Sequence, residues 1–230
     1  MIQIKLKDGS VKEYQEGMTV LDIANDISKG LARVAMAGEV NGTTVDIRNE
    51  INQDSSLNIL TFGDEAGKHA FWHTSSHILA QAVKRLFPEA KLAIGPAIDN
   101  GFYYDFDVDK PFSTEDLEAI EKEMVKIVKE NLEITKFDLP RDEAIRYMEE
   151  KGESYKIELI EDLPEDETIS FYSQGDFTDL CAGPHIVSTG AVKAIKLLNV
   201  AGAYWRGSEK NKMLQRIYGV TFPKKSELKE

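Results

Sequence analysis

The sequence holds four histidines and a single cysteine, and four of these five residues fall into two pairs of the same format. His73 and His77 are four apart. In a helix they would sit about 40° apart around the axis, so they point the same way. Cys181 and His185 are also four apart, within Asp179-Leu180-Cys181-Ala182-Gly183-Pro184-His185, which reads as a glycine-proline turn. Two imidazoles, a thiol and a third imidazole are donors of the kind that hold zinc. A histidine pair at this spacing is also what exposed or capping histidines look like. What marks this one out is that the only cysteine and a further histidine repeat its format. It is not the zinc-protease pattern, because Thr74 stands where that motif places a glutamate.

The same residues also suit a site without metal. His73 can act as a general base on water. Lys156, in Ser154-Tyr155-Lys156-Ile157, is either a strand-edge lysine with its head in water or an inward donor to an anionic oxygen or a hydroxyl. Asp179 can orient a neighbour or hold an ammonium group.

These groups need a scaffold, and the hydrophobic pattern predicts one. His73 and His77 fall in a helix from about Ala70 to Phe87, stopped by Pro88. Phe71, Trp72, Ile78, Leu79, Ala82, Val83, Leu86 and Phe87 form its core stripe, with the two histidines on the other half. Residues 91–106 read as strands and tight turns. Ser113 to Asp116 is a capping signal for a second, structural helix. Arg141 to Glu150 reads as a short helix, and Tyr155 to Ile160, Ile169 to Tyr172 and Ile195 to Val200 as strands. Before residue 63 the order is β-β-α-β-β-β. Asp8-Gly9 and Asn41-Gly42 supply hairpin turns, and Gly30 ends a helix that starts near Val20. Gly63 to Gly67 reads as a domain boundary.

Hydrophobic residues make up 42% and charged residues 30%, so the chain is globular rather than disordered. No apolar run approaches the ~20 residues of a membrane span. The alternating start is not a secretion signal, and one cysteine forbids an internal disulfide, which fits a cytoplasmic setting. The net charge of -12 argues against general affinity for nucleic acid. Residues 191–230, however, carry +6, so contact with a phosphate backbone is expected to begin there.

Five groups of residues carry a resemblance. They are His73-Thr-Ser-Ser-His77; Ala93-Ile94-Gly95-Pro96 with Asp99 to Asp105; Ser154-Tyr155-Lys156; Asp179 to His185; and Ala201 to Gly207 with Asn211 to Gly219. In their order and spacing they resemble the bacterial threonyl-tRNA synthetases, over nearly the whole chain. Alanyl-tRNA synthetases share only the HxxxH and CxxxH core. Ala182 departs from the pattern, since many relatives carry Arg there.

The resemblance implies an α+β chain. Residues 1–62 would be a ubiquitin-like β-grasp (TGS) module, and residues 63–224 an α+β editing domain shared with alanyl-tRNA synthetase. Residues 225–230 would begin the helix leading to a catalytic domain that this chain lacks. The implied reaction is hydrolysis of serine mischarged onto threonine tRNA, with no aminoacylation. One methyl group cannot be excluded well enough by a threonine pocket. A second site is needed that admits serine and clashes with threonine. By resemblance, His73 and Lys156 activate water and contact the transition state or leaving group. His77, Asp179, Cys181 and His185 shape the pocket, orient water and hold the seryl ammonium, while Gly95 and Tyr104 line it. The threonyl family is understood to edit without metal, so no cofactor is expected. The zinc alternative places the ion on His73, His77, Cys181 and His185, as the alanyl relatives do. The expected partner is the acceptor end of threonine tRNA, and the chain is expected to be monomeric. The rival readings are a non-catalytic module gripping the acceptor end, a zinc-dependent hydrolase of another small ester or amide, and a free-standing proofreading protein, which the unfinished helix at the end argues against.

Overall fold

The computed structural model describes residues 1–229. It divides into two compact units, one formed by Met1–Phe71 with Gly183–Val187, the other by Trp72–Ala182 with the residues from Ser188 onward. No helix among the described residues is long and apolar enough to cross a membrane.

The first unit contains β1 (Ile2–Leu6), β2 (Val11–Tyr14), β3 (Met18–Thr19), α1 (Val20–Ile27), α2 (Lys29–Val34), β4 (Ala37–Val40), β5 (Thr43–Val45), β6 (Glu50–Ile51) and β7 (Ser55–Leu60). Five strands form one sheet in the order β2-β1-β7-β4-β5, and β3 pairs with β6. β1 and β7 run parallel and the other neighbours antiparallel, the arrangement of a β-grasp unit. Local chemistry accounts for much of this. Asn41 and Gly42 both take positive φ, at 50° and 84°, which suits a tight turn between twisted strands. Thr19 and Asp22 form a reciprocal capping box at the start of α1, each accepting from the other's main chain at 3.0 Å. Ile2, Ile4, Val20, Ile23, Ile47 and Leu57 close the core between helix and sheet.

Gly30 does not end the helical run. Ser28 does, and its Oγ then accepts from Leu31 N at 3.0 Å to start α2, which contains Gly30. A serine hydroxyl that satisfies an orphan N–H restarts the helix more effectively than a glycine stops it. Gly183–Val187 is built into this same unit. Asp46 Oδ2 accepts from His185 N at 3.0 Å. Arg48 donates to the carbonyls of His185 and Ile186 at 3.0 and 2.7 Å.

One helix, α3 (Glu65–Leu86), starts in the first unit and continues in the second. The second unit adds β8 (Lys91–Leu92), β9 (Ala97–Ile98), β10 (Gly101–Asp107), α4 (Thr114–Glu130), β11 (Ile134–Leu139), α5 (Arg141–Lys151), α6 (Ser154–Glu161), β12 (Ile169–Gln174), β13 (Phe177–Leu180), β14 (Ala194–Tyr204) and β15 (Met213–Phe222). Strands β14-β15-β10-β8 form one antiparallel sheet, with β9 also on β10, and β11-β12-β13 form another. Ser113 and Asp116 make the expected capping box on α4.

Two further expectations change. α3 is not two-faced: Thr74, Ser75, Ser76 and His77 are buried along with Phe71, Trp72, Ile78, Leu79, Ala82 and Val83, because protein covers that side as well, while Leu86, expected in the core stripe, is exposed. Residues 155–160 are helical, not extended. The alternation Tyr155-Lys156-Ile157 resembles a strand, but α6 packs on α5, and Ile160 joins Ala144 and Met148 in one apolar cluster. The segment Lys225–Lys229 is a 3-10 helix. The expected helix runs on to Glu230, outside the described residues. The basic stretch is also partly neutralised: Arg216 pairs with Asp105, Lys212 with Asp107 and Arg206 with Asp162.

Candidate active site

α3 is held on two sides within the second unit. Trp72 Nε1 donates to Thr221 O at 2.9 Å and Ser75 Oγ meets Thr221 Oγ1 at 2.6 Å, tying the helix to β15. On its other side Ser76 Oγ lies 2.7 Å from both the His73 and the Gly95 carbonyl oxygens. His73 and His77 therefore rise from a helix with little freedom to turn. Their rings meet edge to face, with centroids 5.5 Å apart.

The centre of the site is Asp179, on β13 and 1% exposed. Its Oδ1 lies 3.0 Å from Lys156 Nζ, on α6. Its Oδ2 accepts from the Tyr104 hydroxyl, on β10, at 2.6 Å. His77 Nε2 is 3.7 Å from the same oxygen. Burial works to raise the Asp179 carboxyl, but the Lys156 ammonium and the Tyr104 hydroxyl hold it below the usual carboxylate range. Burial dominates at His77 and lowers its imidazole to about 4, with Lys156 adding to the effect and Asp179 opposing it. The His77 contact is thus that of a neutral ring beside a carboxylate, not an ion pair. Burial also raises the Tyr104 hydroxyl far above its ordinary value, with Asp179 reinforcing it, so Tyr104 stays a donor. The ammonium of Lys156 lies 5.2 Å from the Tyr104 ring centroid, a cation over an aromatic face.

A second pair stands beside this group. Cys181 Sγ is 3.1 Å from His73 Nε2. His73, partly exposed, is the more accessible of the two ring bases. Gly95 meets the face of Tyr104 so closely that a Cβ there would lie 2.1 Å from Cδ2, so only glycine fits.

Of the predicted residues, the second unit brings together His73, His77, Lys156, Asp179, Cys181, Tyr104 and Gly95. His185 lies in the segment built into the first unit, fully buried and held through its main chain by Asp46 and Arg48. The ligand atoms of His73, His77 and Cys181 lie within 4.8 Å of one another. A tetrahedral zinc needs donors about 3.5 Å apart. The donor types suit such an ion, and their spacing comes close to what it needs.

Sequence reading missed Ser76, which locks His73 to Gly95, and Phe177, whose ring meets His77 edge to face with centroids 6.4 Å apart. It also missed Glu153, a buried carboxylate that accepts from Leu92 N at 2.8 Å. Ser76 stood inside a motif already singled out. No spacing rule picks out the other two.

Comparison with known proteins places these features. Residues 2–61 match the TGS domain model, and residues 169–218 match the model of the threonyl and alanyl tRNA synthetase second additional domain. The second match contains Asp179, Cys181 and His185; the first contains none of the candidate site residues. The chain is 69% identical to a threonine-tRNA ligase of Acetivibrio thermocellus over 228 residues, 99% of this chain and 36% of that protein. It is 67% identical to the Clostridium tetani ligase over 228 residues, 99% of this chain and 36% of the relative. It is 64% identical to that of Caldanaerobacter subterraneus over 227 residues, 99% of this chain and 35% of the relative. The chain thus spans about a third of the length of these relatives.

Proposed function

We propose that this chain, which carries a TGS domain and the second additional domain of threonyl and alanyl tRNA synthetases, is the amino-terminal proofreading part of a threonyl-tRNA synthetase. In this reading residues 1–62 are the TGS module and residues 63–224 the editing domain. The substrate is serine esterified to the terminal adenosine of threonine tRNA. The observation that carries the reading is the buried Lys156–Asp179–Tyr104 group set against the His73–Cys181 pair, in which His73 is partly exposed.

His73 takes a proton from the attacking water, and the water oxygen bonds to the ester carbonyl carbon. Lys156 uses an N–H not committed to Asp179 to stabilise the oxyanion or the leaving ribose oxygen, which departs as the ester bond breaks and takes up the proton that His73 removed from the water. Both Asp179 oxygens are engaged, so of its two expected roles orientation of neighbours is favoured over capture of the seryl ammonium. His77, neutral, can direct water. Gly95 and Tyr104 form a wall without slack, where the extra methyl of threonine has no room.

A zinc-dependent variant of this reading has one observation in its favour, the closeness of three ligand atoms from His73, His77 and Cys181. These three would hold the ion. Zinc there would lower the pKa of a bound water toward neutrality. The metal-free reading is preferred because Lys156 already supplies a positive charge in the site.

The deciding experiment is deacylation of seryl- against threonyl-tRNA by the purified chain, with and without a chelator. Rapid loss of serine alone, indifferent to chelator, is expected. Chelator-sensitive loss would move the mechanism to zinc. Binding of the tRNA with neither ester cleaved would replace hydrolysis by a module that only grips the acceptor end.

A further inference from the structure

We infer that Glu153 is a positioning residue: together with Lys84 it fixes the start of the helix that presents Lys156 to Asp179. The activity readout of this inference rests on the proofreading reading; its structural readout does not.

Glu153 is the residue before α6, yet its side chain makes no capping bond to its own helix. It is 4% exposed, and both carboxylate oxygens are turned to other elements. Oε2 accepts from the Leu92 main chain at 2.8 Å, at the end of β8. Oε1 lies 3.1 Å from Lys84 Nζ, on α3. Lys84 Nζ also donates to the carbonyls of Pro88 and Ala90 at 3.0 and 2.8 Å. The Glu153 main chain donates to Met148 O at 3.0 Å, on α5.

One buried carboxylate thus joins the elements that carry the site. Lys84 is seven residues beyond His77, about two turns along the same face of α3. Leu92 is three residues before Gly95. Lys156 is three residues beyond Glu153, in the first turn of α6. A carboxylate serving only its helix terminus would turn to its own first-turn N–H groups. This one instead sets the distance between α3, which holds the histidines, and α6, which holds the lysine. Misplacing a reacting group by about 1 Å is enough to lose roughly 10²-fold in rate.

The test compares the 230-residue chain with its Glu153→Ala, Glu153→Gln and Lys84→Met variants, each checked for folding by circular dichroism. Acetic anhydride labelling followed by peptide mass spectrometry reports how protected the Lys156 amine is. Seryl-tRNA deacylation reports kcat and KM separately. In Glu153→Ala, labelling of Lys156 is expected to rise at least about 10-fold, and kcat to fall about 10- to 100-fold with KM little changed. Glu153→Gln, which keeps an acceptor for Leu92 N, is expected to fall between, and Lys84→Met to resemble it. If Glu153→Ala does not fold, these two variants decide. Lys156 as protected in the folded variants as in the parent chain would overturn the inference. If the parent chain cleaves no seryl-tRNA while labelling changes as expected, the proofreading reading fails and the positioning role stands.

Discussion

Lys156 Nζ and Asp179 Oδ1 meet 3.0 Å apart where both residues are almost wholly removed from water, at 3% and 1% exposure. The two lie on different elements, α6 and β13, and neither charge has bulk solvent to fall back on. Such a pair is expensive to break from one side. Removing one partner of a buried ion pair costs about 3–5 kcal/mol, because the other is left uncompensated. Asp179→Asn should therefore lose about that much stability in urea unfolding. Adding Lys156→Met to it should recover part of the loss, a non-additivity that reports direct coupling. Additive effects would show that the two charges do not depend on each other.

The ammonium is also the proposed electrostatic contact to the ester. His73→Ala and Lys156→Ala should each slow seryl-tRNA deacylation by about 10²-fold or more, the range for losing a general base or a fixed electrostatic donor. Near-normal rates in both folded variants would remove these role assignments.

His77 makes stability depend on pH. Its folded imidazole is lowered to about 4 by burial, against 6.5 in the free residue. The unfolded chain binds the proton more readily, so the contribution of this residue is complete above about pH 6.5 and is lost as pH falls toward 4. The whole effect is on the order of 3 kcal/mol. The lowered Asp179 carboxyl acts in the same direction at still lower pH. Unfolding free energies measured from pH 7.5 down to 4.5 should fall more steeply for the parent chain than for His77→Gln. Parallel curves would mean that His77 is not held neutral.

Gly95 offers a steric test. An alanine Cβ would fall 2.1 Å from Tyr104 Cδ2, so the ring or the loop must move. Gly95→Ala should cost about 1–3 kcal/mol, the usual penalty of overpacking, and should slow deacylation. Combined with Tyr104→Leu it should cost less than the sum of the two single changes, because the clash is gone, and the rate should not recover, because the Asp179 hydrogen bond goes with the hydroxyl. A fully stable Gly95→Ala chain would show that the wall has slack.

Cys181→Ala should remain folded. The thiol follows the last residue of β13 and meets His73 rather than an apolar cluster. Far-ultraviolet circular dichroism and a cooperative thermal transition check this; global unfolding would make Cys181 a structural residue.

Much of the chain was legible from short-range chemistry. The turns at Asn41-Gly42 and Asp8-Gly9, the capping box of Ser113 and Asp116, the helical spacing of His73 and His77, and the Asp179 to His185 motif all depend on residues within a few positions of one another. Backbone sterics, turn preferences and the 3.6-residue period act at that range, so the sequence determines them by itself.

Tertiary structure alone decided how those groups are used. Tyr155 to Ile160 alternates like a strand and becomes a helix because α5 covers it. His77 was expected on the half of its helix away from the core stripe and is buried because protein packs on that side too, which is what makes it neutral. Asp179 draws its partners from positions 23 and 75 residues away, Lys156 and Tyr104. Glu153 is one of 40 acidic residues in the sequence and stands out only once Leu92 and Lys84 are beside it. Burial and charge pairing are properties of surroundings assembled across the chain, and no local pattern of residue types can specify them.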